Sequence, residues 1–566
     1  MLKTLEIIPS SFFSGDGKRL TIVAYAFLAL LCVGFFSPGI MSMPPTDRDE
    51  SSFAQATKQM IETGNYTDIR LQEKPRYNKP IGIYWMQSAS VRLLNPQHLD
   101  EIWAYRVPSF VGATFAVLMT AALGSLLFSP AAGLLAAIML AGCVLLNVEA
   151  RLAKTDAALL GCIMASMYAM GYAYTKDSLG KIAKWVIPLI FWTALAKGVL
   201  IKGPIIFMPI TGVLVWLWIT DKRLSFFKKL RPILGIVYAL ALIAPWFVAI
   251  YTQSHGAFLQ QSAGNDMLAK IWEGQNRGSI PPGSHLLALP LMFFPYVLFT
   301  VFAVPDIWKN RRMTGVKFCL GWIIPMWFVF ELSMTKLLHY VLPAYPAIAL
   351  LTAWCLVDGF PSVMKAKRRF PLALIVGTWI IIGAAFAFIS SVLPYFADER
   401  LEIPQIVAGL ILLLSQALAL LLFIKHKTAS LVVLTLGGLI FIPTTFGITL
   451  PRLQSVWMSR SIVEAVAETG RCVKSQIVSV GYHEPSLAFL AGTDTIMAKT
   501  GDEAALALKQ NSCRVVIIDD KHKQEFVDAF ANAAHKPKEA RSVGGLNSGR
   551  GKQASLTIFI LPPALP

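Results

Sequence analysis

RVPSFVGATFAVLMTAALGSLL (106–127) is followed, three residues later, by AAGLLAAIMLAGCVLLNVE (131–149). Each run is close to the ~20 predominantly apolar residues that carry a helix across a bilayer. A water-soluble core does not need two such runs back to back. Comparable runs recur along the rest of the chain. They predict thirteen spans, at 20–37, 106–127, 131–149, 157–175, 185–201, 204–220, 232–250, 285–304, 318–334, 340–357, 371–390, 404–424 and 428–447. The composition agrees: 55% of the 566 residues are apolar and 15% are charged, against about 25% charged in soluble domains. Mean hydropathy is +0.57. The expected fold class is an α-helical polytopic membrane protein.

A net charge of +18 raises the question of nucleic acid. The cations gather instead in short clusters between apolar runs, as orientation-setting charges do. No basic, aromatic-interleaved soluble face is present, so nucleic acid is not an expected partner. With the N-terminus inside, the inner loops hold Lys176/Lys181/Lys184, Lys222/Arg223/Lys228/Lys229/Arg231, Lys309/Arg311/Arg312/Lys317, Lys365/Lys367/Arg368/Arg369 and Lys425/Lys427. An odd span count then places the C-terminus outside. The first span, preceded by Lys18 and Arg19, has no small-x-small cleavage site and reads as an uncleaved anchor.

Two segments are too polar to span: the loop 38–103 and the tail 451–566. The tail reads as a small α/β domain. Helices are expected at Ser459–Thr469 and Lys521–Ala533. Strands are expected at Gln476–Gly481, Arg514–Asp519 and Ser555–Leu561, the first two as buried Val/Ile runs. Of the seven cysteines, five lie in predicted spans as packing residues. Cys472 and Cys513 each precede an inner strand. Parallel pairing of those strands would bring the sulfurs together, and an oxidising outer compartment would permit a disulfide.

The loop opens with Pro44-Pro45-Thr46-Asp47-Arg48-Asp49-Glu50. Phe53, Ala56, Met60 and Ile61 recur at helical spacing and Gly64-Asn65 closes the helix. Its apolar stripe is expected on the membrane, with Lys58 and Glu62 in water. A second amphipathic helix is expected from Pro80, with Ile83, Tyr84, Val91 and Leu94 on one side. Asp49 has an ordinary reading as a helix N-cap, worth ~1 kcal/mol, and Lys79 one as a head-group contact. More polar residues fall at the same face of the membrane: Glu149, Arg151, Lys154 and Asp156; Lys197 and Lys202; Lys336, His339 and Tyr340. Charges at bilayer depth mark a functional pathway by default. Asp, Lys and His together suit an anionic substrate.

The motifs Pro-Thr-Asp-Arg-Asp-Glu-x-x-Phe-Ala-Gln-Ala (45–56) and Pro-Arg-Tyr-Asn-Lys-Pro-Ile-Gly-Ile-Tyr-Trp (75–85) resemble the opening loop of bacterial polyprenyl-phosphate-dependent glycosyltransferases. Arg151 to Asp156, Ile-Lys-Gly-Pro (201–204) and Thr-Lys-Leu-Leu-His-Tyr-Val-Leu-Pro-Ala-Tyr-Pro (335–346) resemble the same group. Its members include the protein O-mannosyltransferase-like enzymes and the aminoarabinose transferases that modify lipid A. The resemblance covers about residues 20–450 and implies the GT-C fold, with a catalytic aspartate in the first outside loop. Asp49 matches that aspartate and Asp156 the second functional one. Lys79 resembles the lysine on the lipid phosphate, and Tyr340 a tyrosine of that pocket. Lys202, Lys336, His339, Glu50 and Tyr77 are further substrate-binding candidates.

The chain departs from the pattern at Ser52, where relatives have Arg, and at Asn78, where aminoarabinose transferases have Glu. In them that Glu and a loop histidine are associated with a metal. His255 is the candidate counterpart here, and a divalent metal stays open. The implied function is an inner-membrane glycosyltransferase with a polyprenyl-phosphate sugar donor and an envelope acceptor, lipid A or core glycolipid before protein Ser/Thr. The alternative is a transporter or flippase for a lipid-linked sugar, which would place charges near the midplane, often with internal repeats.

Overall fold

The computed structural model describes residues 9–222, 224–262, 281–358, 369–425, 428–469, 472, 475–533, 535–549 and 551–562. Arg223, Lys365, Lys367, Arg368 and Lys427, counted above as inner-loop cations, lie outside them.

Among the described residues nine helical stretches have the length and apolarity to cross a membrane. Thirteen were expected, and the difference lies in breaks. The first apolar helix, Ile22–Phe36, is short. The run 131–149 is split at Cys143 into Pro130–Gly142 and Val144–Glu149. The run 285–304 is split into Ser284–Met292 and Val297–Lys309, with Pro295 between. The runs 185–201 and 204–220 become Ala183–Lys202 and Phe207–Asp221, joined by the 3-10 turn Gly203–Ile206. The central helices Trp103–Leu127, Pro130–Gly142 and Asp156–Thr175 touch through small residues. A Cβ on Gly112 would lie 2.6 Å from the Ala157 oxygen, and one on Gly133 would lie 2.3 Å from the Ala121 oxygen. Such contacts replace the missing hydrophobic drive between helices in lipid.

The bundle has two polar ends. Asp156, Lys202 and His339 lie together at one. At the other, Asp221 meets Lys317 and Tyr174, and Lys229 bonds the Ala173 and Lys176 carbonyls.

The loop folds into two helices, Asp49–Thr63 and Gly82–Leu94, with a small hairpin between them, β1 (Arg70–Leu71) and β2 (Lys74–Pro75). Gly64 ends the first helix at φ 70°, a left-handed cap that costs glycine little. Ile83, Tyr84 and Val91 are buried as expected, while Leu94 is exposed. One expectation is overturned. Lys58 is buried rather than in water, because its ammonium donates to the Phe489 carbonyl of the tail at 2.8 Å. The face expected to meet solvent is covered by the tail helix Pro485–Ala491. Phe489 sits among Ala54, Val91, Tyr105 and Ala153.

The tail holds a five-stranded sheet in the order β4-β3-β5-β7-β6. β3 (Gln476–Val480) pairs in parallel with β4 (Ile496–Ala498) and β5 (Arg514–Asp519), while β7 (Lys552–Ile560) runs antiparallel to β5 and β6 (Lys538–Asn547). The Val/Ile strands are buried on both faces. Helices Met458–Glu468 and Pro485–Ala491 cover one, and Gly501–Gln510 and Asp520–Asp528 the other. Cys472 and Cys513 are joined by a disulfide at the start of the β3–β5 pair.

Candidate active site

Asp49 and Glu50 are neighbours in sequence and opposites in structure. The helix starts at Asp49 after Arg48, whose φ of 64° and ψ of −107° are unusual for a residue with a side chain. No side chain caps the helix. Asp49 is therefore not the N-cap that its position suggested. It is exposed and makes no hydrogen bond or ion pair among the described residues. Its charge nevertheless reaches Lys154 and Tyr84.

Glu50 is buried and saturated. Its Oε1 accepts from Arg106 Nε and the Ala153 amide at 2.8 and 2.9 Å. Its Oε2 accepts from Arg106 Nη2 at 3.1 Å and from the Thr46 amide and hydroxyl at 2.9 Å each. Burial pushes this carboxyl up. The Arg106 charge and the hydrogen bonds more than offset that, so it lies below the usual glutamate value. Glu50 was expected to bind substrate; here its carboxylate positions are occupied by Arg106, Thr46 and Ala153. Arg106 also donates to the carbonyls of Ile40, Met43 and Pro44. Arg151, in the 151–156 motif, does the same for Pro38 and Phe35. Two buried guanidiniums thus stitch down the chain entering the loop. Arg106 gave no sign of this role, because an arginine at a span's outer edge reads as a head-group contact.

Beyond this knot lies a second set. Lys202, at the end of its helix, donates to Asp156 Oδ1 at 2.6 Å. His339 faces Asp156 through Nε2 at 3.9 Å and Glu149 through Nδ1 at 3.8 Å. Lys154 donates to Glu149 Oε1 at 3.1 Å, and Lys202 lies over the Tyr340 ring at 5.6 Å from its centroid. Glu149 Oε2 is buried without a hydrogen bond. Burial works against the Lys154 ammonium, but Glu149, Asp156 and Asp49 together hold its pKa above the usual lysine range. Elements distant in sequence therefore meet here: the 149–156 turn, the end of Ala183–Lys202 and the 3-10 turn Leu338–Ala344.

The other expected site residues are placed as follows. Lys79 is half-buried and donates to the Asn78 carbonyl at 2.9 Å. Lys336 donates to the Ser333 carbonyl at 2.7 Å. The Tyr77 hydroxyl donates to Asp68 at 2.8 Å and its ring packs on Phe258. Burial and Asp68 push its pKa up to about 12. His255 is exposed in a turn at φ 50°. Among the described residues no three His, Cys, Asp or Glu stand together to hold a metal. With Asn78 in place of a carboxylate, the described residues do not fit the metal, and no step is routed through one.

The solved structure of ArnT from Cupriavidus metallidurans bound to undecaprenyl phosphate superposes on the chain with a TM-score of 0.72. It covers 95% of this chain and 97% of that one, at 16% identity. The chain shares the fold of that structure, the GT-C fold. The sequence model described as "Dolichyl-phosphate-mannose-protein mannosyltransferase" matches residues 78–248 of this GT-C chain. That segment includes Lys79, Asp156 and Lys202 but neither Asp49 nor His339. A curated relative from Pseudomonas fluorescens, an undecaprenyl phosphate-α-4-amino-4-deoxy-L-arabinose arabinosyl transferase, is 22% identical over 92% of this chain and 94% of its own. One of the same description from an Enterobacter species is 23% identical over 54% of each.

Proposed function

We propose that the chain transfers a sugar from a polyprenyl phosphate to an envelope acceptor at the outer face of the bacterial inner membrane. The observation that carries this reading is the meeting of Asp156, Lys202, His339 and Tyr340 at one polar end of the bundle, with Asp49 on the loop above them. The leaving group is already an anionic phosphate, so it needs its charge held rather than a proton. Lys202 and Lys79 are the cations assigned to it. Asp49 is available to take the proton of an acceptor hydroxyl, an effect typically worth 10²–10⁴-fold. For a phosphate acceptor it would orient the nucleophile and stabilise charge at the sugar carbon. Asp156 holds Lys202 and His339 in place. A single inverting displacement is the expected course.

The donor class follows from the relatives, which are named for undecaprenyl phosphate. A lipid A or core glycolipid is the favoured acceptor, with protein Ser/Thr second. In this reading residues 1–450 form the catalytic membrane domain, with a cytoplasmic N-terminus. Residues 451–566 form a periplasmic domain, where the Cys472–Cys513 disulfide suits an oxidising compartment.

The test is purified full chain in nanodiscs with undecaprenyl-phosphate 4-amino-4-deoxy-arabinose and lipid A, read by mass spectrometry. A lipid A mass shift is expected, and Asp49→Asn should reduce it by at least ~10²-fold at unchanged expression. Donor crossing the bilayer of sealed proteoliposomes, with no covalent product in either system, would replace this reading with the flippase one. Substantial turnover by Asp49→Asn would remove Asp49 from its role.

A further inference from the structure

Two residues before Asp49 stands Asp47, and its partners come from the other end of the chain. The Ser486 hydroxyl donates to its Oδ1, and the Ser548 hydroxyl to its Oδ2. Behind Ser486 runs a line of buried hydroxyls. Ser459 Oγ lies 2.6 Å from Ser486 Oγ, and Tyr482 Oη lies 2.8 Å from Ser459 Oγ. Each hydroxyl has one proton to give. Ser486 gives its proton to Asp47, so Ser459 must donate to Ser486, and Tyr482 to Ser459. Every dipole in the line then points at the Asp47 carboxylate, an arrangement in which each bond polarises the next.

This contact is the end of a longer seam. Gln55 donates to the Thr493 hydroxyl at 2.8 Å, which donates to Glu62 at 2.7 Å, and Gln72 donates to the Thr495 carbonyl at 2.6 Å. Between Asp47 and Asp49 lies only Arg48, at φ 64° and ψ −107°. Such a backbone persists only where its surroundings over-determine it. On the far side the Glu50–Arg106 knot fixes it. On the near side the only side-chain anchor of Asp47 among the described residues is the tail. Asp49 makes no side-chain bond of its own among the described residues, so the backbone sets the position from which its carboxylate reaches.

We propose that the C-terminal domain is a positioning device for the reaction: Ser486 and Ser548, through Asp47, hold the Arg48 turn that presents Asp49. This rests on the role given to Asp49 above. Ser486, Ser548 and Asp47 are positioning residues and touch no substrate.

The test uses the full chain in nanodiscs and three variants: Asp47→Asn, Ser486→Ala/Ser548→Ala, and Tyr482→Phe. Hydrogen exchange is read at Ser51 and Ser52, whose amides bond the Thr46 and Arg48 carbonyls, and in β3 and β5 as a measure of the tail's integrity. The first two variants should exchange about tenfold faster at Ser51 and Ser52 with β3 and β5 unchanged, and Tyr482→Phe by less. Transfer kcat should fall about tenfold, while undecaprenyl phosphate itself binds within about twofold of the parent, a split that general unfolding does not give. Asp47→Asn leaves the tail sequence intact and decides the matter if the serine changes unfold it. Unchanged exchange at Ser51 and Ser52 overturns the latch. Faster exchange with unchanged kcat overturns its positioning role. Should Asp49→Asn itself keep transferring sugar, the assignment of Asp49 fails, and the exchange result still decides the latch.

Discussion

The knot around Glu50 and Arg106 and the cluster around Asp156 and Lys202 are both buried acid–base groups, joined by the short Arg151–Asp156 segment. In the knot each partner is fully covered, and both carboxylate oxygens are used more than once. In the cluster the pair keeps about a tenth of its side-chain surface exposed. His339 stands at 3.8–3.9 Å from two acids rather than at bonding distance, and Glu149 keeps an unused oxygen. A saturated set has no valence left for a ligand. An unsaturated one is costly unless something completes it. Burial and charge alone do not separate structure from site; the count of unfilled hydrogen-bond positions does.

The strongest way to break this comparison is Arg106→Met. It strands a buried carboxylate and frees four backbone carbonyls, those of Gly39, Ile40, Met43 and Pro44. Removing one partner of a buried pair costs on the order of 3–5 kcal/mol, so the expected outcome is loss of folded protein, measured as detergent-stable monomer yield and thermal unfolding. A folded, stable Arg106→Met protein with only its transfer impaired would move the knot into the site.

Next in size is Lys202→Met. His339 and Lys154 still act on Asp156, so the fold should survive. What goes is a cation for the donor. Loss of a charged hydrogen bond worth roughly 1.5–3 kcal/mol weakens undecaprenyl phosphate binding at least about tenfold, checked by titration of the nanodisc-held protein. Unfolding on the scale of Arg106→Met, with donor affinity unchanged in what remains, would make this cluster a second knot.

The membrane architecture was legible because bilayer thickness sets a length that apolar runs must meet. The breaks were not, because Cys143 and Pro295 interrupt runs that stay apolar throughout. In the tail, β3 and β5 stood out as Val/Ile runs, and Ser555–Leu561 was read as the last strand. β4 has three residues, and β6 (KEARSVGGLN) is mostly polar and exposed, so neither carries a pattern. In the candidate site, Asp156, Lys202 and His339 stood out by their cost, as ionisable groups at bilayer depth, and Tyr340 as their polar neighbour in sequence. The partners of Glu50 and Tyr77 were not legible, because a motif names residue types and not what they touch. The dependence of the loop on Ser486 and Ser548 was invisible. A serine's role is decided by what lies beside it, and here that is more than four hundred residues away in sequence.

The smallest expected effect is a pH dependence that sets the two regions apart. Glu50 binds its proton less readily folded than unfolded, since its pKa is held below the ordinary 4.5. A group lowered in this way stabilises fully above the unfolded value, and the contribution fades as pH falls through the lower folded value. The loop entry should therefore keep its protection from pH 8 down to about 5, then loosen only below about 4.5. Hydrogen exchange at Thr46 and Ala153, whose amides bond Glu50, reads this directly. Glu50→Gln should loosen both amides at every pH and remove the acid step, because an uncharged amide cannot hold Arg106 in the same way. Loss of protection already near pH 6 in the parent would mean that a group other than Glu50 governs the loop entry, and the knot would no longer be independent of its surroundings.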